Sequence, residues 1–294
     1  MTIIPHLAGT FSLSSGRPGR RTQPGMGRLG PRDSALRPWE LMSHQETYRQ
    51  NEAYARFLEG WDEGFYAKYA DTLKTGRPGA RLLDVGCGVG QVVSRLDAQG
   101  FEAHGVDVSE PNLARAVKVC PNCRLYDGKT LPYPDRFFAS VGALNVLEHV
   151  EAPEAFLGEL VRVAEIGGRV LVSSPNFYRV IGFRDYHPRM RGVGNKWRNW
   201  QRLRARRQLR RSDPDRVRFD RMEPIVKEPF TPDDDAIVAT NAADLEFFLS
   251  RAGCVVERVE CTDRYVARPF DFLLNLTPLR YVMFNAFVVA KRVR

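Results

Sequence analysis

The sequence predicts an α/β protein, a mostly parallel sheet with helices on both faces. Two observations carry this. Short apolar runs alternate with helix-length segments from residue 81 to residue 174. The first run, "RLLDVGCGVG", ends in an acid and a glycine loop, the way a strand turns tightly into a helix.

The elements follow in order. Glu46 to Asp71 is expected to be helical, because Tyr54, Phe57, Leu58, Trp61, Phe65 and Tyr69 recur on one face. "GRPGA" breaks that helix, and the first strand and its glycine loop come next. "QVVSRLDAQG" is a helix stopped by Gly100. "EAHGVDVS" is a second strand with Asp107 at its end, and Glu110 to Val119 a second helix. "CRLYDG" is a third strand, and "RFFASVGALNVLEHV" holds a fourth that runs into a loop. Pro153 to Ala164 is a helix with Phe156, Leu157, Leu160 and Val161 on one face, and "GGRVLVSSPN" is a fifth strand.

The alternation then stops. Residues 177–240 form a long basic stretch, read as an insertion or lid, because compact domains seldom carry idle loops of that length. The pattern resumes at "TNAADLEFFLSRAG", where Asn241 is a good N-cap and Gly253 a stop. "CVVERVEC" and "NAFVVAKR" complete seven strands.

Charge and composition narrow the function classes. The chain has 294 residues, 43% hydrophobic, enough for a sizeable core. Its net charge of +9 is uneven: +5 over residues 1–38 and +11 over 179–221, which leaves −7 elsewhere. A mildly acidic body with two basic additions is not a uniform nucleic-acid coat. Residues 1–41 read as a disordered basic leader, with Met42 as an alternative start, and residues 42–294 as the folded domain. Five cysteines make no disulfide framework, and the single pair Cys120–Cys123 lacks the partners of a zinc site. A cytoplasmic location is the default expectation, and no apolar run reaches membrane-spanning length.

The glycine loop carries the chemistry. Gly86, Gly88 and Gly90 are spaced G-x-G-x-G, which differs from the nicotinamide fingerprint, and no Walker lysine follows. Asp84 precedes the loop, and Asp107 stands about 20 residues on, well placed for ribose hydroxyls.

Taken in series, "LLDVGCGVG", "GVDVS", "YDGKTLPYPDRFFASVGALNVLEHV" and "GGRVLVSSPN" resemble the successive motifs of class I S-adenosylmethionine-dependent methyltransferases. The resemblance covers about residues 80–176 and resumes weakly over 240–292. It implies a Rossmann-like seven-stranded sheet whose last strand is antiparallel, with S-adenosylmethionine as cofactor. It implies that Gly86, Gly88 and Gly90 face the methionine part of the cofactor while Asp84 helps to hold its amino group. Asp107, with Val108 beside it, would bind the ribose; Asp127 and Gly128 would sit by the adenine, and Asn145 by the sulfonium.

Methyl transfer needs alignment, exclusion of water and, for a hydroxyl acceptor, a base. His149, with Glu148 adjacent, is the candidate base, at the carboxyl end of the fourth strand where such sheets bind ligands. Some quinone O-methyltransferases of this superfamily resemble the segment but carry an acid where this chain has Asn145, and there the group can hold a metal; no metal is expected here. In the insertion, "FRDYHPRMRG" offers Tyr186, His187 and Arg189, with Arg184 and Arg191, to bind an acidic substrate.

Three hypotheses follow. The first is methyl transfer to a small-molecule or lipid- or sugar-linked acceptor, chiefly at oxygen. The second is RNA methylation, with the basic insertion on phosphates. The third is a non-enzymatic binder of anionic membranes, using Trp197, Trp200 and Leu203 beside the arginines. A core-facing anchor is the expectation for those tryptophans.

Overall fold

A computed structural model describes residues 49–60, 63–182, 185–225, 233–262 and 268–294. These fall within one compact unit, 41–294. The leader expected over residues 1–41 and the candidate Arg184 lie outside the described residues.

The sheet forms from β1 (Arg81–Val85), β2 (Glu102–Asp107), β3 (Cys123–Leu125), β4 (Phe138–Leu144), β5 (Ala164–Ser174), β6 (Cys254–Thr262) and β7 (Asn285–Arg292). Its order is β3-β2-β1-β4-β5-β7-β6. The first five strands pair in parallel. β7 runs antiparallel to both neighbours, with Val172 opposite Val288 and Val259 opposite Val288 from the other side. Strands β1, β2 and β4 are almost wholly buried, as a sheet covered on both faces requires. The expected seven-stranded sheet with an antiparallel last strand is therefore present.

Helices cover the two faces: α1 (Glu52–Glu59), α2 (Glu63–Leu73), α3 (Gln91–Asp97), α4 (Glu110–Val119), α5 (Pro153–Val163), α6 (Val193–Ser212), α7 (Ala242–Arg251) and α8 (Arg268–Asn275). One core layer packs α5 and α7 against the sheet through Phe156, Leu157, Leu160, Leu245 and Leu249. The other packs α2, α3 and α4 through Tyr69, Leu73, Val93, Leu96 and Ala116. All five cysteines are unpaired and buried.

Two expectations need correction. The single helix over Glu46 to Asp71 is two helices, because α1 ends at Gly60, whose N–H bonds back to Phe57 O. Nor is the insertion all loop. It contains α6, a helix of twenty residues. Its polar sequence hid it, because the residues turned inward are Asn195, Lys196, Asn199, Leu203, Arg206, Leu209 and Arg210, and only two of these seven are apolar.

The insertion is fastened to the body by charge. Arg206, 7% exposed, bonds Asp244 at 2.6 Å, Asp220 at 2.5 Å and Arg218 O at 2.6 Å. Arg210 adds a second bond to Asp244, which is fully buried in the first turn of α7. Asn241 caps that helix by accepting from Asp244 N, as expected. No helix among the described residues is long and apolar enough to cross a membrane.

Candidate active site

The site lies at the carboxyl ends of β1, β2 and β4. After β1, the amides of Gly86 and Cys87 both donate to Val106 O, which bends the chain sharply. Gly86, Gly88 and Gly90 all take positive φ. A Cβ on Gly86 would lie 2.3 Å from Val146 Cγ2, so the left-handed turn and the closeness of the β4 loop both require glycine. Gly90 caps α3.

Asp107 ends β2 and is buried. Its carboxylate accepts from Gly88 N and Ser109 N at 2.8 Å each, and from Asn112 Nδ2 at 3.4 Å. Burial pushes its pKa up to about 6 against those bonds. Asp84 is deeper. Burial pushes its pKa up to about 7, opposed by the Tyr69 hydroxyl donating at 2.7 Å and reinforced by Asp107. Gly142 on β4 leaves the space that Tyr69 needs, since a Cβ there would meet its hydroxyl at 2.4 Å. Val108 is half-buried just past Asp107.

Asp127 is exposed and accepts from Lys129 N and Thr130 N, which hold its carboxyl below the usual range. It thus fastens its own loop, beside Gly128 at φ 76°. Asn145 follows β4 in the left-handed region at φ 53°, and its Oδ1 is buried with no hydrogen-bond partner. Asparagine takes the left-handed region more readily than most residues, which suits it to the turn after β4.

The next turn holds Glu148 and His149. Glu148 is fully buried, and its Oε2 accepts from the Ser174 hydroxyl at 3.0 Å. Its other oxygen, Oε1, has no hydrogen-bond partner and lies 3.9 Å from His149 Nε2. The opposite ring nitrogen, Nδ1, lies 3.7 Å from Asp235 Oδ1. Burial and the nearby Asp233 hold the Glu148 carboxyl well above its ordinary range.

The returning arm of the insertion closes this corner. Ile237 N donates to Glu148 O at 2.9 Å, and a two-residue ribbon pairs Asp220–Arg221 with Val238–Ala239. That arm carries Asp233 and Asp235, whose carboxyls burial pushes up to about 6. Tyr186 donates to Asp233 and feels Glu148 as well. From the other side, the Tyr54 phenol on α1 is pushed up by burial and by Asp107, Asp233 and Glu148 together. One cleft therefore brings together the glycine loop, Asp107, the Glu148–His149 turn, α1 and the insertion.

Sequence reasoning missed Tyr54, Asp233 and Asp235. The run of three acids, Asp233 to Asp235, was visible in an otherwise basic insertion and was the available signal. His187 is buried against Phe177, and its Nδ1 accepts from Arg189 N within the insertion's own turn. Arg191 is exposed and bonds Asp185 O and Tyr186 O within the same turn. Arg189 is half-buried beside Arg202, whose charge together with burial lowers its pKa. The tryptophans are corrected. Trp197 and Trp200 stack on each other at 4.8 Å on the outer face of α6, 57% and 36% exposed.

The methyltransferase-domain family matches residues 83–172, the span from β1 to β5. This span of the chain is matched as a methyltransferase domain, in agreement with the series of sequence motifs it contains. Among curated relatives, it is 33% identical over 111 residues to the 2-methyl-6-phytyl-1,4-hydroquinone methyltransferase of Synechocystis, covering 35% of each chain. It is 34% identical over 119 residues to the 27-O-demethylrifamycin SV methyltransferase of Amycolatopsis mediterranei, covering 34% of this chain and 42% of that one. The match thus spans well under half of either relative. Among solved structures, an S-adenosylmethionine-dependent methyltransferase from Mesorhizobium loti shares the fold at TM-score 0.53 and 17% identity, covering 80% of this chain and 100% of that chain.

This methyltransferase fold fits the superfamily's cofactor on its own geometry. Gly86 lets the loop pack directly against Val146, and the Asn145 Oδ1 beside it has no hydrogen-bond partner. The Asp107 carboxylate ends β2 against the loop at Gly88, and Asp84 lies at the end of β1 just before it.

Proposed function

We propose that this chain transfers a methyl group from S-adenosylmethionine to a hydroxyl of a small or lipid-linked acceptor. The supporting observation is the Glu148–His149 turn at the end of β4, a half-buried imidazole flanked by the carboxyls of Glu148 at 3.9 Å and Asp235 at 3.7 Å. The cofactor supplies an activated methyl group. Asp107 and the glycine loop would fix its position, and α1 with the insertion would exclude water. His149 would take the proton from the acceptor hydroxyl as its oxygen bonds to the methyl carbon and the carbon–sulfur bond breaks. Asp235 would hold the ring in the productive orientation. Both curated relatives described above are methyltransferases, and one is named for an oxygen position, which supports oxygen as the acceptor atom.

The acidic lining bears on substrate choice. Asp233 and Asp235, ionised above about pH 6, would disfavour an anion at the transfer point, so an acidic part of the acceptor would lie toward α6. Labelled S-adenosylmethionine turned over with lipid, polar-metabolite and RNA fractions of a cell extract tests the proposal. Label in lipid or small metabolites is expected. Label confined to RNA would overturn it.

A second reading is favoured by the outer face of α6. Trp197 and Trp200 are exposed there, Arg204 sits 4.7 Å over the Trp200 ring, and Arg202, Arg207 and Arg211 make no ion pair among the described residues. Exposed tryptophan beside unpaired arginine suits an anionic membrane surface, which would bring the enzyme to a lipid-borne acceptor. Flotation with liposomes, with and without anionic lipid, tests it. Binding only to anionic vesicles is expected, and loss of binding on Trp197→Ala/Trp200→Ala would confirm the face. Equal flotation with neutral vesicles would refute it.

A further inference from the structure

We propose that helix α8 and the free edge of β6 seat a second copy of this chain, which makes the protein a symmetric dimer in solution. The inference goes beyond methyl transfer and does not depend on it.

Helix α8 is turned inside out. A helix on a folded body sets its apolar stripe against the core and its polar face in water. Here Phe270, Phe272, Leu273 and Leu276 are 67%, 64%, 56% and 64% exposed. The polar residues of the same helix point inward instead. Asn275 accepts from Cys261 N at 2.8 Å and donates to Cys261 O at 3.1 Å. Asp271 lies 3.7 Å from Lys68 Nζ on α2, and the same ammonium holds Glu260 of β6 at 2.7 Å. These bonds on the inner side fix the apolar residues outward. Leu276 stands four residues after Phe272 and three after Leu273, so the three share one face. A contiguous exposed apolar patch marks an interaction surface.

The strand beside it is open. β6 ends the sheet, paired with β7 on one side and with no strand on the other among the described residues. It has nine residues, against three in β3 at the opposite edge. A long free edge is a template for another chain.

Charge selects which chain. Antiparallel pairing of β6 with itself, about a two-fold axis between Glu257 and Arg258, sets Glu257 against the partner's Arg258 and Val256 against the partner's Val259. An axis through either charged residue would set that residue against its own like charge, so one register is favoured. Glu257 and Arg258 are both exposed. The bulge between Val256 and Arg258 keeps this ladder short, so α8 supplies most of the apolar cover. The same axis brings each α8, which follows the carboxyl end of β6, to the amino end of the opposite strand, where Val255 is left 55% exposed. The cofactor cleft at β1, β2 and β4 lies away from this edge in the sheet order and stays open.

Sedimentation equilibrium of the full chain across micromolar concentrations tests the dimer, with a two-chain mass expected. Leu273→Glu puts a charge on the apolar stripe and should weaken association at least about tenfold. Arg258→Glu sets like charges against each other twice across the axis and should weaken it by about tenfold as well. Glu257→Arg/Arg258→Glu restores opposite pairs and should recover most of that loss, which a merely misfolded variant would not do. Circular dichroism of all three should match the parent, because the substituted side chains are exposed. A single-chain mass at every concentration overturns the proposal. So does a dimer that either single variant leaves unchanged, or a reversed pair that recovers nothing. Vesicle flotation runs alongside: a single-chain mass with vesicle binding that Leu273→Glu abolishes assigns the stripe to a bilayer and overturns the dimer.

Discussion

Replacing Arg206 with Met should loosen the insertion without emptying the cofactor site. The guanidinium is 7% exposed and makes bonds of 2.5–2.6 Å to Asp244, Asp220 and Arg218 O. Breaking a buried pair from one side costs about 3–5 kcal/mol, because the other charge is left in the interior. Here Asp244, fully buried, keeps Arg210 and Asn241 as partners. Asp220 is partly exposed and keeps the Tyr178 hydroxyl. The lower end, about 3 kcal/mol, is therefore the expectation. Urea unfolding with an unchanged slope measures it. Arg211→Met, an exposed arginine on the same helix, should change stability by less than about 0.5 kcal/mol. S-adenosylmethionine affinity in Arg206→Met should stay within about twofold of the parent, a shift of under 0.5 kcal/mol. A loss below about 1 kcal/mol would refute the buried-pair reasoning. Loss of cofactor binding in step with stability would refute the separation of insertion and cofactor loop.

Other outcomes follow from the same geometry. His149→Ala should lower kcat by about 10²–10⁴ with cofactor affinity little changed, and single-turnover kinetics reads both. Gly86→Ala should abolish cofactor binding in calorimetry, because its Cβ meets Val146 at 2.3 Å in a left-handed turn. Asp84 has a folded pKa of about 7, above its unfolded value near 4, so ionising it costs folding free energy. That cost grows as pH rises from about 4 to about 7 and is absent below both values. Asp84→Asn keeps an acceptor for the Tyr69 hydroxyl, so its stability gain over the parent should be near zero at pH 4 and full above pH 7. Denaturation across that range checks the sign.

Much of this was legible in the sequence for a physical reason. A parallel sheet buried on both faces demands continuous apolar runs, and a tight strand-to-helix turn demands glycine, so β1 to β5 and the loop at Gly86 to Gly90 announce themselves. The Asn241 cap was readable because its signal is local. Helix α6 was not, because its inward face is held by Asn199 and Arg206, whose bonding partners lie far along the chain. Asp233 was hidden likewise. It meets Glu148 and His149 only when the insertion folds back, and no spacing rule spans more than eighty residues of chain.

The central claim is that the glycine loop and Asp107 hold S-adenosylmethionine. Titration of the cofactor into the full chain and into Asp107→Asn, by calorimetry, tests it most directly. The account predicts one site per parent chain and an affinity at least about tenfold weaker in the variant, since bonds to a buried carboxylate contribute about 1.5–3 kcal/mol. No binding to the parent chain, or equal binding to both, would contradict it.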